Sequence, residues 1–255
     1  MVADYHEQSS KEIIRQHVWN ELRHVARPDS RFHWNFAEFI ADYEGSDVGA
    51  QRIRDLPAWQ ASNFIFITPD NNLEEVRRAA MEDGKPFVMS TYGIARDFLY
   101  LDPARIPADK YGWAATLDGM DRFAKPLGLV ELTRLGRFDV LVTGASAIST
   151  NGIRFGKGHG YFDLEWAMFS ETQCLTENPL VVCAVHDCQI VDLDLIGSEY
   201  DTRVDVIVTP TRTIEIPAEH GHRPGRVVWE QLEPGMIERI PPLQELKQLQ
   251  KEHNG

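Results

Sequence analysis

The chain has 255 residues, of which 43% are hydrophobic and 25% are charged. This is the composition of a folded globular protein, and it excludes a disordered chain, a collagen-like repeat and a small disulfide-rich scaffold. The formal net charge of −13 argues against nucleic acid as a partner, because a surface that neutralises phosphates needs a basic face. A local basic pocket for a nucleotide is compatible with this charge.

Two further classes are disfavoured by the sequence. No stretch approaches the ~20 consecutive apolar residues of a membrane helix, and residues 1–14 lack the apolar core of a signal peptide, so we expect no membrane partner. The cysteines Cys174, Cys183 and Cys188 are odd in number and have no Cys-x-x-Cys spacing. They predict reduced thiols in a cytoplasmic protein.

The predicted elements alternate between helices and short apolar strands. In chain order, the patterns predict helices over 9–26 and 47–56, a strand over 63–68, a helix over 73–82 and a strand over 86–90. They then predict strands over 112–116 and 138–143, a helix over 160–173 and strands over 180–185 and 204–209. A strand-like run at 226–229 and a polar helical tail over about 241–255 complete the series. This alternation predicts a single three-layer α/β domain over 1–255, with a mostly parallel sheet and helices on both faces.

A glycine-rich segment follows the predicted strand 138–143. Gly156, Gly158 and Gly160 alternate just before a helix, which lets backbone N–H groups approach an anion closely. Arg154 and Lys157 place two cations beside those amides. The segment therefore predicts a phosphate-binding loop, although its spacing is neither the Rossmann nor the Walker A pattern. The alternative is a glycine-rich turn whose cations are simply exposed.

Two aspartates are candidate metal ligands. Asp163 falls in the first turn of the predicted helix, where it could bind a magnesium ion that accompanies a phosphate or only favour the helix dipole. Asp205 interrupts an apolar strand, where a charge is costly unless it is paired or metal-bound. The alternative for Asp205 is a position at the edge of the sheet.

Further polar residues follow the predicted strands 180–185 and 204–209. His186 and Asp187 come directly after the first of these strands, and Arg212 follows the second. The carboxyl ends of parallel strands are where open α/β sheets bind ligands, so these residues are substrate-binding candidates. A structural histidine is an equally good interpretation of His186. The motifs of serine hydrolases and common zinc enzymes do not occur.

Residues 154–163 (Arg-Phe-Gly-Lys-Gly-His-Gly-Tyr-Phe-Asp) resemble the glycine-rich signature of the 5-formyltetrahydrofolate cyclo-ligases, also called methenyltetrahydrofolate synthetases. Residues 156–168, 185–191 and 208–212 are more similar still to the methenyltetrahydrofolate synthetase domain-containing branch of that family. The resemblance extends from about residue 11 to about residue 246.

This resemblance implies a fold like that of the ribose-phosphate isomerase and CoA-transferase superfamily. It also implies an enzyme that uses ATP and Mg²⁺ to close the 5-formyl group of the folate onto N10, giving 5,10-methenyltetrahydrofolate. By position, it assigns ATP binding to Lys11, Arg15, Arg154, Gly156, Lys157, Gly158, Gly160 and Tyr161, with Arg154 and Lys157 as catalytic cations, and metal binding to Asp163 and Asp205. The substrate-binding glutamate of the family falls near Asp70, and His186 and Arg212 complete the substrate-binding candidates.

The sequence departs from the family pattern at two places. The usual Pro-Gly-x-x-Phe-Asp before the loop is replaced by residues 145–149, and Leu164 and Glu165 stand where basic residues are common. The resemblance places both changes near the folate. We therefore expect an ATP- and Mg²⁺-dependent enzyme acting on 5-formyltetrahydrofolate or a related formyl- or amide-bearing heterocycle. The alternatives are a non-catalytic nucleotide- or folate-binding regulatory protein, with a link to thiamin metabolism, and an isomerase or CoA-transferase-like enzyme.

Overall fold

A computed structural model describes residues 2–155, 160–193, 195, 197–198, 200–217, 223 and 225–253, and the side chains of 12–252 within those ranges. Its strands form one large sheet and one small sheet. The strands are β1 (Ile65–Ile67), β2 (Phe87–Met89), β3 (Phe98–Leu101), β4 (Lys125–Leu127), β5 (Phe138–Thr143), β6 (Ala147–Ser149), β7 (Arg154–Phe155), β8 (Leu175–Ala184), β9 (Ile190–Val191), β10 (Val206–Val208) and β11 (Thr213–Glu215).

The large sheet has eight strands in the order β11-β10-β8-β5-β1-β2-β3-β4. The five strands from β10 to β2 are parallel, and β11, β3 and β4 extend the sheet antiparallel at its two edges. The central parts of the parallel strands are apolar and buried because helices cover both of their faces. The edge strand β4 contains Pro126, which cannot donate to a strand ladder and is tolerated at an edge. The sheet is therefore parallel at its centre and mixed overall.

Nine helices are found in the described part of the chain. They are α1 (Val2–Leu22), α2 (Ser46–Arg54), α3 (Pro57–Ala61), α4 (Glu74–Glu82), α5 (Tyr111–Ala114), α6 (Leu129–Leu132), α7 (Tyr161–Glu171), α8 (Met236–Arg239) and α9 (Pro241–His253). Residues from α2 to α5 share one apolar core with the sheet, and residues from α6 to α9 share the core on the opposite face. This arrangement gives the three layers.

The core on the α7 side is built around phenylalanine rings. Phe169 of α7 packs against Phe66, Phe98 and Phe138 of three strands, with ring centroids 4.8, 5.4 and 4.9 Å apart. Rings at these separations contribute favourable quadrupole interactions in addition to their buried area. This packing fixes the axis of α7, and thus the position of its first turn, relative to the carboxyl ends of β1 and β5.

The small sheet has the order β7-β6-β9, with β7 antiparallel and β9 parallel to β6. Val18 of α1 packs onto Ala147 and Phe155 of this sheet. The contact holds the N-terminal helix against the strand that leads into the glycine-rich segment.

The sequence predicted the central elements but missed the edges. The mostly parallel α/β class with helices on both faces is confirmed, whereas the antiparallel edge strands and the small sheet were not expected. The predicted strand at 112–116 was wrong: this region contains α5, which buries Ala114 and leaves Trp113 exposed. The strand-like run at 226–229 was also wrong, since it leads into a 3-10 turn at Trp229–Gln231. Short apolar runs do not distinguish a strand from a buried helical turn.

The three cysteines are free, with Cys174 and Cys183 buried and Cys188 half-buried. In the described residues, every helix is too short or too polar to cross a bilayer. The polar tail predicted at about 241–255 is the helix α9.

Candidate functional site

A cavity with a volume of about 70 Å³ opens where β1, β2 and β5 end. We call it the central cavity. The carboxyl edge of a parallel sheet is the expected place for a ligand. The loops after β1 and β2, the end of β5, β7 and the first turns of α7 form its walls. The lining residues that matter here are Asp70, Ser90, Gly144, Arg154, Gly160, Tyr161 and Glu165.

Asp70 is fixed in the wall of the central cavity by its neighbours. Its Oδ2 atom accepts hydrogen bonds from Thr68 Oγ1 at 2.5 Å and from the backbone N–H of Gly144 at 2.9 Å. Behind this loop, the fully buried Arg77 donates from Nη1 to the carbonyls of Thr68 and Asp70, at 3.1 and 3.0 Å. Its Nε donates to the carbonyl of Ala115 at 2.7 Å. Asp70 is therefore a preorganised acceptor on the cavity wall.

Arg154 lies between Asp163 and an aromatic ring. Its Nη2 atom is 2.5 Å from Asp163 Oδ1, and its guanidinium lies 4.6 Å from the centroid of the Phe162 ring. Asp163 Oδ1 also accepts from the backbone N–H of Thr202 at 2.8 Å. Burial raises the pKa of Asp163, and the charge of Arg154 offsets part of this effect. The ion pair places the Arg154 guanidinium beside the first turn of α7.

Glu165 is a site residue that the sequence indicated only as a departure from the family pattern. It lies on α7, lines the central cavity and is 2% exposed. Burial raises the pKa of Glu165 to about 8, and the neighbouring Ser90 hydroxyl and the guanidinium of Arg154 offset only part of this effect. The signal in the sequence is an acidic residue between the apolar Leu164 and Trp166.

A second cavity of about 270 Å³ lies on the other side of the first turn of α7. We call it the adjacent cavity. Gly160 lines both cavities, with φ of 61°, a left-handed conformation that glycine adopts without strain. The adjacent cavity contains the carboxylates of Asp163 and Asp201 together with Arg226. Asp201 Oδ2 accepts from the backbone N–H of Ser198 at 2.8 Å.

Asp205, the other expected metal ligand, lines neither the central nor the adjacent cavity. It immediately precedes β10. Its Oδ2 accepts from the backbone N–H of Val181 at 2.7 Å, and its Oδ1 pairs with Arg223. The sequence offered no signal that would favour Asp201 over Asp205, since both lie near the same strand. Within the described ranges, no cluster of three or more His, Cys, Asp or Glu residues is present.

The N-terminal helix approaches the glycine-rich segment as the resemblance implied. Arg15 lies with its guanidinium 5.9 Å from the centroid of the Phe155 ring, directly before that segment, and also pairs with Glu12 at 3.2 Å. The backbone of Lys11 belongs to α1, one turn before Arg15. Gly156, Lys157 and Gly158 lie outside the described residues, as does the side chain of Lys11. Their assigned roles stay predictions.

His186 and Arg212 do not line the central cavity. His186 Nδ1 accepts from the backbone N–H of Cys188 at 3.2 Å, and its ring packs edge-on against Tyr43 with centroids 5.6 Å apart. Arg212 is largely exposed and lies 3.5 Å from Asp187 Oδ1. Both residues follow parallel strands, as predicted, but their side chains have local structural partners. The structural interpretation of His186 agrees with these contacts, and of the three substrate-binding candidates only Asp70 reaches the central cavity.

Residues 145–149, which depart from the family pattern before the glycine-rich segment, have contacts within the fold and not with the central cavity. Ser149 is fully buried in β6, and its hydroxyl contacts Asn151. Gln189 Nε2 donates to the carbonyls of Ala145 and Ser146, at 2.7 and 3.2 Å. None of these residues lines the central cavity. The departure that does reach this cavity is Glu165.

Comparison with known proteins identifies the family. Residues 7–210 match the model of the 5-formyltetrahydrofolate cyclo-ligase family, and the chain belongs to this family. It is 31% identical over 241 residues to a methenyltetrahydrofolate synthase domain-containing protein of Homo sapiens, with 93% of this chain and 61% of that protein covered. The protein of the same description from Danio rerio is 29% identical over 246 residues, with 94% and 62% covered.

The chain thus spans about three fifths of the length of these curated relatives. Among solved structures, it is similar to the 5,10-methenyltetrahydrofolate synthetase of Aquifex aeolicus, with a TM-score of 0.49, 15% identity and coverage of 81% and 92%. It is also similar to the synthetase of that name from Mycoplasma pneumoniae, with a TM-score of 0.44, 10% identity and coverage of 78% and 98%.

Proposed function

We propose that this chain is an ATP- and Mg²⁺-dependent cyclo-ligase-like enzyme that acts on 5-formyltetrahydrofolate or on a related heterocycle carrying a formyl or amide group. Membership of the cyclo-ligase family supports the reaction class. The observation that carries the proposal is the pair of cavities that meet at Gly160, with the ion pair of Arg154 and Asp163 beside their junction. A reaction between two bound molecules needs two such neighbouring sites.

In this proposal the folate lies in the central cavity and the triphosphate lies along the glycine-rich segment and the adjacent cavity. The formyl oxygen attacks the γ-phosphorus and ADP leaves. N10 then attacks the activated formyl carbon, and inorganic phosphate departs as the ring closes. Arg154 supplies positive charge where negative charge builds up on the transferred phosphoryl group. Lys157, Lys11 and Arg15 are the further cations that we assign to the triphosphate.

The donor set of the adjacent cavity fits a magnesium ion. Asp163 and Asp201 present carboxylate oxygens, which are the ligands that hard divalent cations prefer, and Mg²⁺ in phosphoryl-transfer sites is commonly held by one or two carboxylates plus substrate phosphates. We therefore assign the metal to Asp163 and Asp201. When bound, the ion neutralises phosphate charge. Arg154 orients Asp163 through the contact to Oδ1.

The non-catalytic alternative is supported by Glu165, the departure from the family pattern that lines the central cavity. A protein that binds the nucleotide without turning over a folate would act as a regulator. A turnover measurement therefore distinguishes a regulatory protein from an enzyme, whereas a measurement of nucleotide binding does not.

The test measures the methenyl product by its absorbance, with 5-formyltetrahydrofolate, ATP and Mg²⁺ as reactants. We expect steady product formation by the unaltered chain and a loss of about 100-fold or more in Asp163→Asn and Asp201→Asn, because each substitution removes a charged ligand from a phosphoryl-transfer site. Asp205→Asn is the matched control, and we expect it to retain turnover. Binding of MgATP by the unaltered chain without any product would instead support the regulatory alternative.

A further inference from the structure

The wall of the central cavity contains a carboxyl oxygen without a hydrogen-bond partner in the described part of the chain. Glu165 is 2% exposed, and its Oε2 atom has no hydrogen-bond partner in the described part of the chain. Buried polar atoms are almost always hydrogen-bonded, and leaving one unpaired destabilises the fold. An unpaired carboxyl oxygen at a cavity surface therefore indicates a group that hydrogen-bonds only when a ligand is bound.

The surroundings of Glu165 define what this ligand group can be. The nearest cation of the wall, Arg154, directs Nη2 to Asp163, and Glu165 has no ion pair in the described ranges. A carboxyl oxygen accepts hydrogen bonds, so the ligand group that pairs with Oε2 of Glu165 is a donor such as an N–H.

A second unpaired atom lies in the same wall. Arg154 Nε is buried and has no hydrogen-bond partner within the described residues, although Nη2 of the same side chain is bound to Asp163. The cavity therefore presents a carboxyl group and an N–H donor, with Asp70 on the opposite loop as a preorganised acceptor. This set complements the edge of a planar heterocycle with adjacent carbonyl and N–H groups.

We propose that Glu165 is the specificity-determining residue of the central cavity, and that its carboxyl group hydrogen-bonds the cyclic amide edge of a folate-type ligand. The proposal rests on the proposed function for the identity of the ligand. It explains why an acidic residue occupies a position on α7 whose neighbours, from Phe162 to Phe169, are otherwise apolar apart from Asp163. The unpaired oxygen of Glu165 destabilises the ligand-free protein and is hydrogen-bonded when the ligand is present.

The experiment compares two substitutions of Glu165 with a control on the same helix. Glu165→Gln keeps a donor and an acceptor, and Glu165→Met keeps the length but removes both. Glu171→Gln is the control, because Glu171 lies on α7 away from the central cavity and bonds Val227 and Gln250 instead. Binding of 5-formyltetrahydrofolate is measured by calorimetry without ATP, and thermal unfolding is measured on the ligand-free protein.

We expect Glu165→Gln to bind within about 3-fold of the unaltered chain and Glu165→Met to bind about 10-fold or more weakly, since a lost hydrogen bond leaves the ligand group unpaired. We also expect Glu165→Met to raise the Tm of the free protein by roughly 2–6 °C, because it removes an unpaired buried polar group. Glu171→Gln leaves folate binding unchanged.

A fall in the Tm of Glu165→Met would show that Glu165 is structural and would overturn the proposal. Equal folate affinity in Glu165→Met and the unaltered chain would also overturn it, as would no folate binding by the unaltered chain. Folate binding that depends on Glu165, without product formation when MgATP is added, would overturn the cyclo-ligase activity and leave this contact in place. The two proposals therefore fail in different measurements.

Discussion

Gly144 is the position where an added methyl group has the largest predictable effect on the site. A Cβ atom at this residue would lie 2.8 Å from Asn72 Oδ1, 2.9 Å from Ile40 Cγ2 and 3.1 Å from Asp70 Oδ2. These atoms cannot easily move away. Asn72 Nδ2 is held by the carbonyl of Ala184 at 2.8 Å, and Asp70 is bound to the backbone N–H of Gly144 itself. Gly144→Ala must therefore push the loop after β1 out of place.

We expect Gly144→Ala to lower the free energy of unfolding by about 1–3 kcal/mol, the usual cost of overpacking a filled site. This corresponds to a fall in Tm of roughly 3–10 °C for a chain of this size. Because the displaced loop carries Asp70, we also expect weaker binding of 5-formyltetrahydrofolate. Urea unfolding and calorimetry measure the two effects.

Gly49→Ala is the matched control. Gly49 lies within α2, and an added Cβ would meet no atom within 4 Å. Alanine is favoured over glycine in a helix by about 0.5–1 kcal/mol, so the same chemical change should stabilise the protein at this position. If Gly144→Ala were as stable as the unaltered chain and bound the folate equally well, the close packing of β5 against the Asp70 loop would be refuted.

Two other substitutions test a buried hydrogen-bond donor, Arg77, and the ion pair of Arg31 and Asp29. Arg77→Met removes the donor to the carbonyls of Thr68, Asp70 and Ala115, and we expect a loss of about 3 kcal/mol in urea unfolding; an unchanged midpoint would contradict this role. The Arg31 guanidinium hydrogen-bonded to Asp29 holds the pKa of that carboxyl well below its usual range. The carboxylate therefore stabilises the fold above the pKa of the unfolded chain, about 3.9, and loses this effect as pH falls through the lower pKa of the folded state. Asp29→Asn should lower the Tm by a constant amount from pH 8 to pH 5 and by less below about pH 4; a difference that grows in acid would contradict this sign.

Much of the site was predictable because its position depends on local chain order. Arg154, Gly160 and Tyr161 immediately precede or begin a helix that follows a buried strand, and the three residues line one cavity. Asp70 follows the first parallel strand and reaches the same cavity from the other side. Strand ends of a parallel sheet converge whatever the loops contain, so a residue's place after a strand was enough to locate it.

Other parts of the site were not predictable from local order. His186 and Arg212 also follow parallel strands, but their side chains turn to Cys188 and Asp187, contacts that only the folded loops decide. Asp201 and Asp205 are four residues apart and both precede β10, yet Asp201 lines the adjacent cavity whereas Asp205 contacts Val181 and Arg223. The choice between them depends on the path of the chain before β10, which local order does not fix.

The sequence by itself determined the parallel centre of the sheet and the helices that cover it. Continuous apolar strands separated by amphipathic helices have few other ways to exclude water. Only the tertiary structure decided that Glu165 is buried beside the central cavity with Oε2 unpaired in the described part of the chain, and that Asp163 and Asp201 line the same adjacent cavity. Such pairings depend on distances between elements far apart in the chain, and side-chain packing sets those distances after the hydrophobic pattern has fixed the layers.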